Sequence, residues 1–153
     1  MDIRIDPEKA ELLAERGIGV ADVEKVMIYA QETGNVFRNR TTGRYLAYCR
    51  PSKITFWVEW TKEGKDRKLF TAYSHRMKIL EGLNIPAPPK GETVDWFCVK
   101  CKAPLEPVTV KLKYLDETFA ADIPACPSCQ RVFVSEKDAL EKMALAEKML
   151  EDK

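Results

Sequence analysis

The sequence predicts an α+β protein in two parts. The first is an N-terminal domain of two helices followed by an antiparallel meander. The second is a four-cysteine domain that ends in a helix. Three observations carry this. Apolar residues recur at helical spacing up to residue 33 and at strand spacing after it. Two Cys-x-x-Cys pairs, Cys98-Val99-Lys100-Cys101 and Cys126-Pro127-Ser128-Cys129, lie twenty-four residues apart. Between the parts, Gly82-Leu83-Asn84-Ile85-Pro86-Ala87-Pro88-Pro89-Lys90-Gly91 reads as an extended spacer. The expected division is residues 1–81, a linker at 82–92, and 93–153.

Taken in order, Asp6-Pro7-Glu8 is a helix start, with Asp6 as N-cap and Pro7 at the first helical position. Gly17 ends that helix. A second helix is expected from Val20 to Thr33, with Val23, Val26, Met27 and Ala30 on one apolar face and Gly34-Asn35 as the stop. Strands follow at Val36 to Arg40, Arg44 to Arg50, Ile54 to Trp60 and Arg67 to Ser74, the last of the first part. The helices should cover one face of this meander. The other face, partly aromatic, is a candidate for cover as well. In the second part, Leu105 to Tyr114 and Thr118 to Ile123 form a hairpin about Leu115-Asp116-Glu117, and Arg131 to Val134 is a short strand. Ser135 caps a helix with Asp138 at its third position. Ala139, Met143, Ala146 and Leu150 form a stripe on that helix, read first as packing and otherwise as a dimer or partner contact.

The cysteine pairs carry the chemistry. A Cys-x-x-Cys turn aims two sulfurs at one point, and two such turns supply four thiolates to a tetrahedral ion. The only histidine, His75, precedes the first pair by more than twenty residues, so the expected ligands are Cys98, Cys101, Cys126 and Cys129. This is the plan of a zinc ribbon. Pro104 and Pro107 argue against a helix at the first pair, and so against a thioredoxin-like redox disulfide. Zinc is the expected ion, with iron, as in rubredoxins, the alternative. Rubredoxin knuckles usually carry Gly after the second cysteine, where the backbone turns. Lys102 and Gln130 stand there instead. Cys49 is left over and reads as a buried or half-buried strand residue.

Composition narrows the rest. With ordinary apolar content and a net charge of +1, nothing marks the whole chain as a nucleic-acid or membrane protein. No stretch approaches the roughly 18 apolar residues of a membrane span. Met1-Asp2-Ile3-Arg4 has no apolar run behind it, so a cytoplasmic location is expected, where paired cysteines bind metal rather than each other. Residues 1–89 hold 15 Lys and Arg against 12 Asp and Glu, while residues 90–153 hold 10 against 12. From Thr33 to Val58 there is no acid at all, and Arg38, Arg40, Arg44, Arg50 and Lys53 lie within. With Tyr73, His75 and Arg76 at the end of a strand, Arg38, Arg40 and Arg44 make a candidate polar or nucleic-acid site. The plainer reading is a charged sheet edge and a structural histidine, so no catalytic residue is assigned.

Three resemblances bear on function. From Cys98 to Leu150, the order Cys-x-x-Cys, hairpin, Ile123-Pro124-Ala125-Cys126-Pro127-Ser128-Cys129, Val132-Phe133-Val134 and helix resembles the zinc fingers of YgiT-type bacterial antitoxins. The layout of the first part is loosely similar to RelE-like ribonuclease toxins, without a catalytic residue to carry over. Across nearly the whole chain, Thr42-Gly43-Arg44-Tyr45-Leu46-Ala47-Tyr48, Thr55-Phe56-Trp57-Val58-Glu59, Ala72-Tyr73-Ser74-His75-Arg76-Met77 and the second cysteine pair resemble a family of small proteins of anaerobic bacteria. That family is labelled as redox proteins and associated with molybdenum-hydroxylase gene sets. The resemblance implies a metal-binding accessory or redox-associated protein that docks to a protein partner. An iron electron carrier and an RNA-binding, toxin-like module are the alternatives. A homodimer is a further option, a nucleic acid is the less favoured partner, and no membrane is expected. Replacing Cys126 by Ser is expected to unfold the second part and leave the first folded.

Overall fold

The computed structural model describes residues 3–87 and 95–152. Helix α1 (Pro7–Glu15) begins at the expected proline. Gly17 follows at φ 68°, a left-handed conformation that glycine adopts without Cβ strain. Asp6 precedes α1 but makes no side-chain cap, and its carboxylate instead pairs with Lys68 at 3.0 Å. Helix α2 (Val20–Thr33) has the expected bounds and buries Val23, Val26, Met27 and Ala30.

Among the described residues, nine strands follow in two sheets. The larger has the order β4-β3-β2-β1-β6-β7, with β1 (Phe37–Asn39), β2 (Tyr45–Cys49), β3 (Thr55–Glu63), β4 (Asp66–His75), β6 (Trp96–Cys98) and β7 (Ala103–Pro104). The smaller has the order β5-β8-β9, with β5 (Lys78–Pro86), β8 (Glu106–Tyr114) and β9 (Glu117–Ala125). All pairs within both sheets are antiparallel. The expected strand at Arg131 to Val134 is reduced to a single bridge, Ala125 to Val132. A π-helical turn (Asp138–Met143) then leads into helix α3 (Ala144–Glu151). Ser135 Oγ accepts the Asp138 amide at 3.1 Å, the expected cap.

Strand alternation gives the large sheet two apolar faces. Ala47, Phe56, Val58, Trp60, Leu69 and Ala72 meet α1 and α2 in one core. Their neighbours Leu46, Tyr48, Trp57 and Tyr73 point the other way, onto Val110, Leu112, Ile123, Val134 and Met143. The Trp57 ring lies 4.1 Å from Tyr48 and 5.8 Å from Tyr73, both stacked. Such pairs contribute about 0.5–1.5 kcal/mol each beyond the area they bury. The aromatic face is therefore covered, as its composition suggested. The helix stripe also packs inward: Ala139 and Met143 are buried in this second core, and Ala146 lies against it.

The pairing crosses the expected boundary between the two parts. Strand β5 runs from the first part through Pro86 and lies against β8 of the second. In return, β6 pairs with β1, with Phe37 opposite Cys98. The second core draws on both parts. Part of the expected 82–92 linker is thus strand, and residues 88–92 lie outside the described residues.

Candidate metal centre

Each cysteine pair sits where a strand ends in a tight turn. Cys98 is the last residue of β6, and the chain turns through Val99 and Lys100 before β7 brings it back. The amide of Val99 donates to the Val36 carbonyl at 2.9 Å, which ties this knuckle to the strand before it. Cys126 follows β9 directly, and its amide donates to the Arg131 carbonyl at 2.8 Å, closing the second knuckle into a loop. The residue after each second cysteine has a left-handed backbone: Lys102 at φ 54° and Gln130 at φ 64°. These are the positions where glycine is usual in such knuckles, so the turn is made here at the cost of Cβ strain.

The two knuckles bring Cys98, Cys101, Cys126 and Cys129 together, with all four Sγ atoms within 4.8 Å of one another. The Cys98 and Cys129 sulfurs are 3.9 Å apart. A tetrahedral ion with metal–sulfur bonds of about 2.3 Å needs sulfur–sulfur edges of about 3.8 Å. Donor type, number and spacing therefore fit a closed tetrathiolate site, and the four cysteines can hold a metal ion such as zinc or iron. Cys98 and Cys126 are buried, whereas Cys129 lies at the surface with its sulfur turned toward the other three and partly buried among them. Cys49, half-buried at the end of β2, is not among the four.

Backbone amides support the sulfurs. The Cys129 amide reaches Cys126 Sγ at 3.5 Å, and the Ser128 amide points at the same atom. Cys98 is served by the Cys101 amide, and Cys129 by that of Arg131. Burial pushes the Cys129 thiol up to about 12 and raises Cys98. Burial also acts against ionisation of Cys126, but the Cys129 and Ser128 amides and the neighbouring sulfurs outweigh it and hold this thiol below its ordinary value. Four thiolates so close require a cation to offset their charge. Metal uptake must then release protons and strengthen as pH rises. These amide donors, and Arg131 in particular, were not singled out from the sequence. The signal was present in the position, since a residue two places beyond a knuckle's second cysteine is where an amide turns back toward sulfur.

The other sequence-derived cluster does not form one site. Tyr45 pairs with Trp60 at one end of the β2–β3–β4 meander, and Thr55 pairs with His75 at the other. Arg38, Arg40 and Arg44 belong to the first end, and His75 and Arg76 to the second. Five residues of strand, roughly 17 Å, separate Trp60 from Thr55, with Tyr73, opposite Trp57, between them. Arg44 is committed within the fold, its Nε 2.5 Å from the buried Glu59 carboxylate and its guanidinium 3.8 Å from the Phe70 ring centre. Arg38 lies over Tyr45 and Arg40 over Phe97. Tyr73 is buried and donates its hydroxyl to the Val134 carbonyl at 2.7 Å. His75 is buried as well. Its Nε2 accepts the Trp57 indole N–H at 3.0 Å, which leaves Nδ1 to donate to the Met77 carbonyl at 2.8 Å. Burial lowers its pKa to about 4, so it is a neutral structural residue. Arg76 is exposed and pairs with Glu151.

No helix among the described residues is long and apolar enough to cross a membrane. No curated protein and no solved structure matches this chain. Residues 94–153, which hold all four cysteines, match a family model described as a domain of unknown function (DUF7479).

Proposed function

We propose that the chain is a zinc-binding accessory protein, in which one structural ion ties the two sheets together and the assembled surface docks to a protein partner. The observation that carries this reading is the approach of four cysteine sulfurs to within 4.8 Å of one another, from two knuckles on different sheets. Four thiolates close the coordination shell and leave no position for a substrate, which suits a structural rather than a catalytic zinc. Iron in the same cage would instead carry one electron, so metal identity separates the accessory role from the electron carrier. The same reading puts the protein in a reducing compartment, where thiols remain available to metal.

Support for docking comes from the outer side of α3, where Leu145 and Met149, one helical turn apart, are 60% and 62% exposed. The partner proposed is a redox enzyme of the molybdenum-hydroxylase type, on the family resemblance. Elemental analysis of anaerobically purified protein, with a visible spectrum, tests the metal. One zinc per chain and a colourless solution are expected. A red protein with reducible visible bands would replace the accessory role with electron transfer. For docking, a Leu145→Glu/Met149→Glu variant should keep the fold and lose co-purification with the enzyme.

A further inference from the structure

Outside the metal centre, an open cleft of about 840 Å³ lies between α2, the end of β2, the start of β5 and the second knuckle. Its size lies within the usual range for small-molecule sites. Lys25, Arg50, Lys78 and Arg131 line it, and among the described residues none of its lining side chains is acidic. Tyr29 and Tyr48 contribute aromatic wall.

The state of these cations points to a ligand. Lys25 and Lys78 form no salt bridge among the described residues. Arg50 is half-buried; its guanidinium donates to three neutral acceptors, Thr55 Oγ1 at 3.0 Å, the Met77 carbonyl at 3.3 Å and the Arg76 carbonyl at 2.9 Å, and the Glu147 carboxylate acts on it only through space. Arg131 is oriented by Tyr29, whose hydroxyl it meets at 2.5 Å, and lies over the Tyr29 and Tyr48 rings. Two guanidiniums fixed by packing and two exposed ammonium groups around one apolar-walled cleft match an anion with several oxygens and an organic body. Inorganic phosphate alone would leave most of the volume unfilled.

We propose that this cleft binds a small organic polyphosphate of nucleoside diphosphate size, its phosphates held among Lys25, Arg50, Lys78 and Arg131. The assignment is independent of which metal the cysteines bind.

The test is calorimetric titration of the full chain, as purified, with ADP, pyrophosphate and inorganic phosphate at one salt concentration. The expected result is saturable binding of ADP at one per chain, tighter than pyrophosphate. Lys25→Glu and Lys78→Glu each weaken it at least tenfold. Both lysines are exposed, so the variants should retain the parent circular dichroism and melting midpoint. Lys65→Glu, at the far end of the β3–β4 hairpin, should bind as the parent does. Absence of saturable binding, or equal loss in Lys65→Glu, overturns the proposal. So does pyrophosphate binding as tightly as ADP, or a single-stranded RNA oligonucleotide binding tenfold tighter than ADP.

Discussion

Replacing Cys126 by Ser tests how the ion and the fold depend on each other. Cys98 ends a strand of the large sheet, and Cys126 follows the last strand of the small one. An ion held by the four cysteines would therefore act as a cross-link between residues 28 positions apart in sequence. Treated as loop closure, such a link contributes roughly 3–4 kcal/mol. That is a large share of the roughly 5–15 kcal/mol that stabilises a typical domain. At urea slopes of about 1–3 kcal/mol per molar, the unfolding midpoint should fall by roughly 1–4 M. The sequence alone suggested that only the second part would unfold. The shared core gives a different expectation, because Trp57 and Tyr73 of the large sheet pack against Val110, Val134 and Met143. With Trp96 of β6 replaced by Phe in both proteins, tryptophan fluorescence reports on Trp57 and Trp60 in β3, and far-ultraviolet circular dichroism reports on the whole chain. In the variant, both signals should be lost in one coincident transition at lower urea. A fluorescence midpoint that stays at the parent value while circular dichroism shows an early loss would refute the shared core.

Three further outcomes are expected. Gln130→Gly relieves a Cβ held at φ 64°, worth about 1–2 kcal/mol, against the roughly 0.5–1 kcal/mol of chain entropy that glycine adds to the unfolded state; the net is a small rise in melting temperature, and a fall would contradict the strain. His75 has a folded pKa of about 4, below its ordinary 6.5, so the unfolded chain binds the extra proton between these values. Its contribution is complete above pH 6.5 and is lost as pH falls through 4, a total of about 3 kcal/mol. As the only histidine, it gives one set of imidazole NMR signals, which should not titrate between pH 8 and 5.5. Glu147 is buried, and its carboxylate accepts the Arg76 and Met77 amides at 2.9 and 3.0 Å, pinning the corner between β4 and β5 to α3; Glu147→Ala should lower stability by about 2–3 kcal/mol, measured by urea unfolding, and a loss below 0.5 kcal/mol would remove that role.

Local chemistry made much of this fold readable. Pro7 and Gly17 bracket α1, Gly34 stops α2, and the spacing of Val23, Val26, Met27 and Ala30 identifies its buried face. The two Cys-x-x-Cys pairs announce a four-sulfur cluster because each knuckle is a local structure that needs no knowledge of the rest of the chain. What was hidden is non-local. Strand β5 runs into a proline-rich stretch that reads as a spacer, but β5 is an edge strand with an irregular register between Leu80 and Ile85. An edge tolerates Pro86 because no neighbour requires its missing N–H. The β1–β6 pairing joins two three-residue strands nearly sixty residues apart, and no periodicity signals such a partner. Asp6 was read as a cap from its position, whereas Lys68, far along the chain, offers its carboxylate a charge. The sequence groups the arginine-rich hairpin with Tyr73 and His75, whereas the register places Tyr45 and His75 at opposite ends of the meander and buries Tyr73 between them.

X-ray absorption at the metal edge of the purified protein tests the central claim most directly. Four sulfur scatterers at about 2.3 Å, from one zinc per chain, are predicted. A chain that retains its fold with no bound metal, or a first shell with oxygen or nitrogen in place of two or more sulfurs, would contradict it.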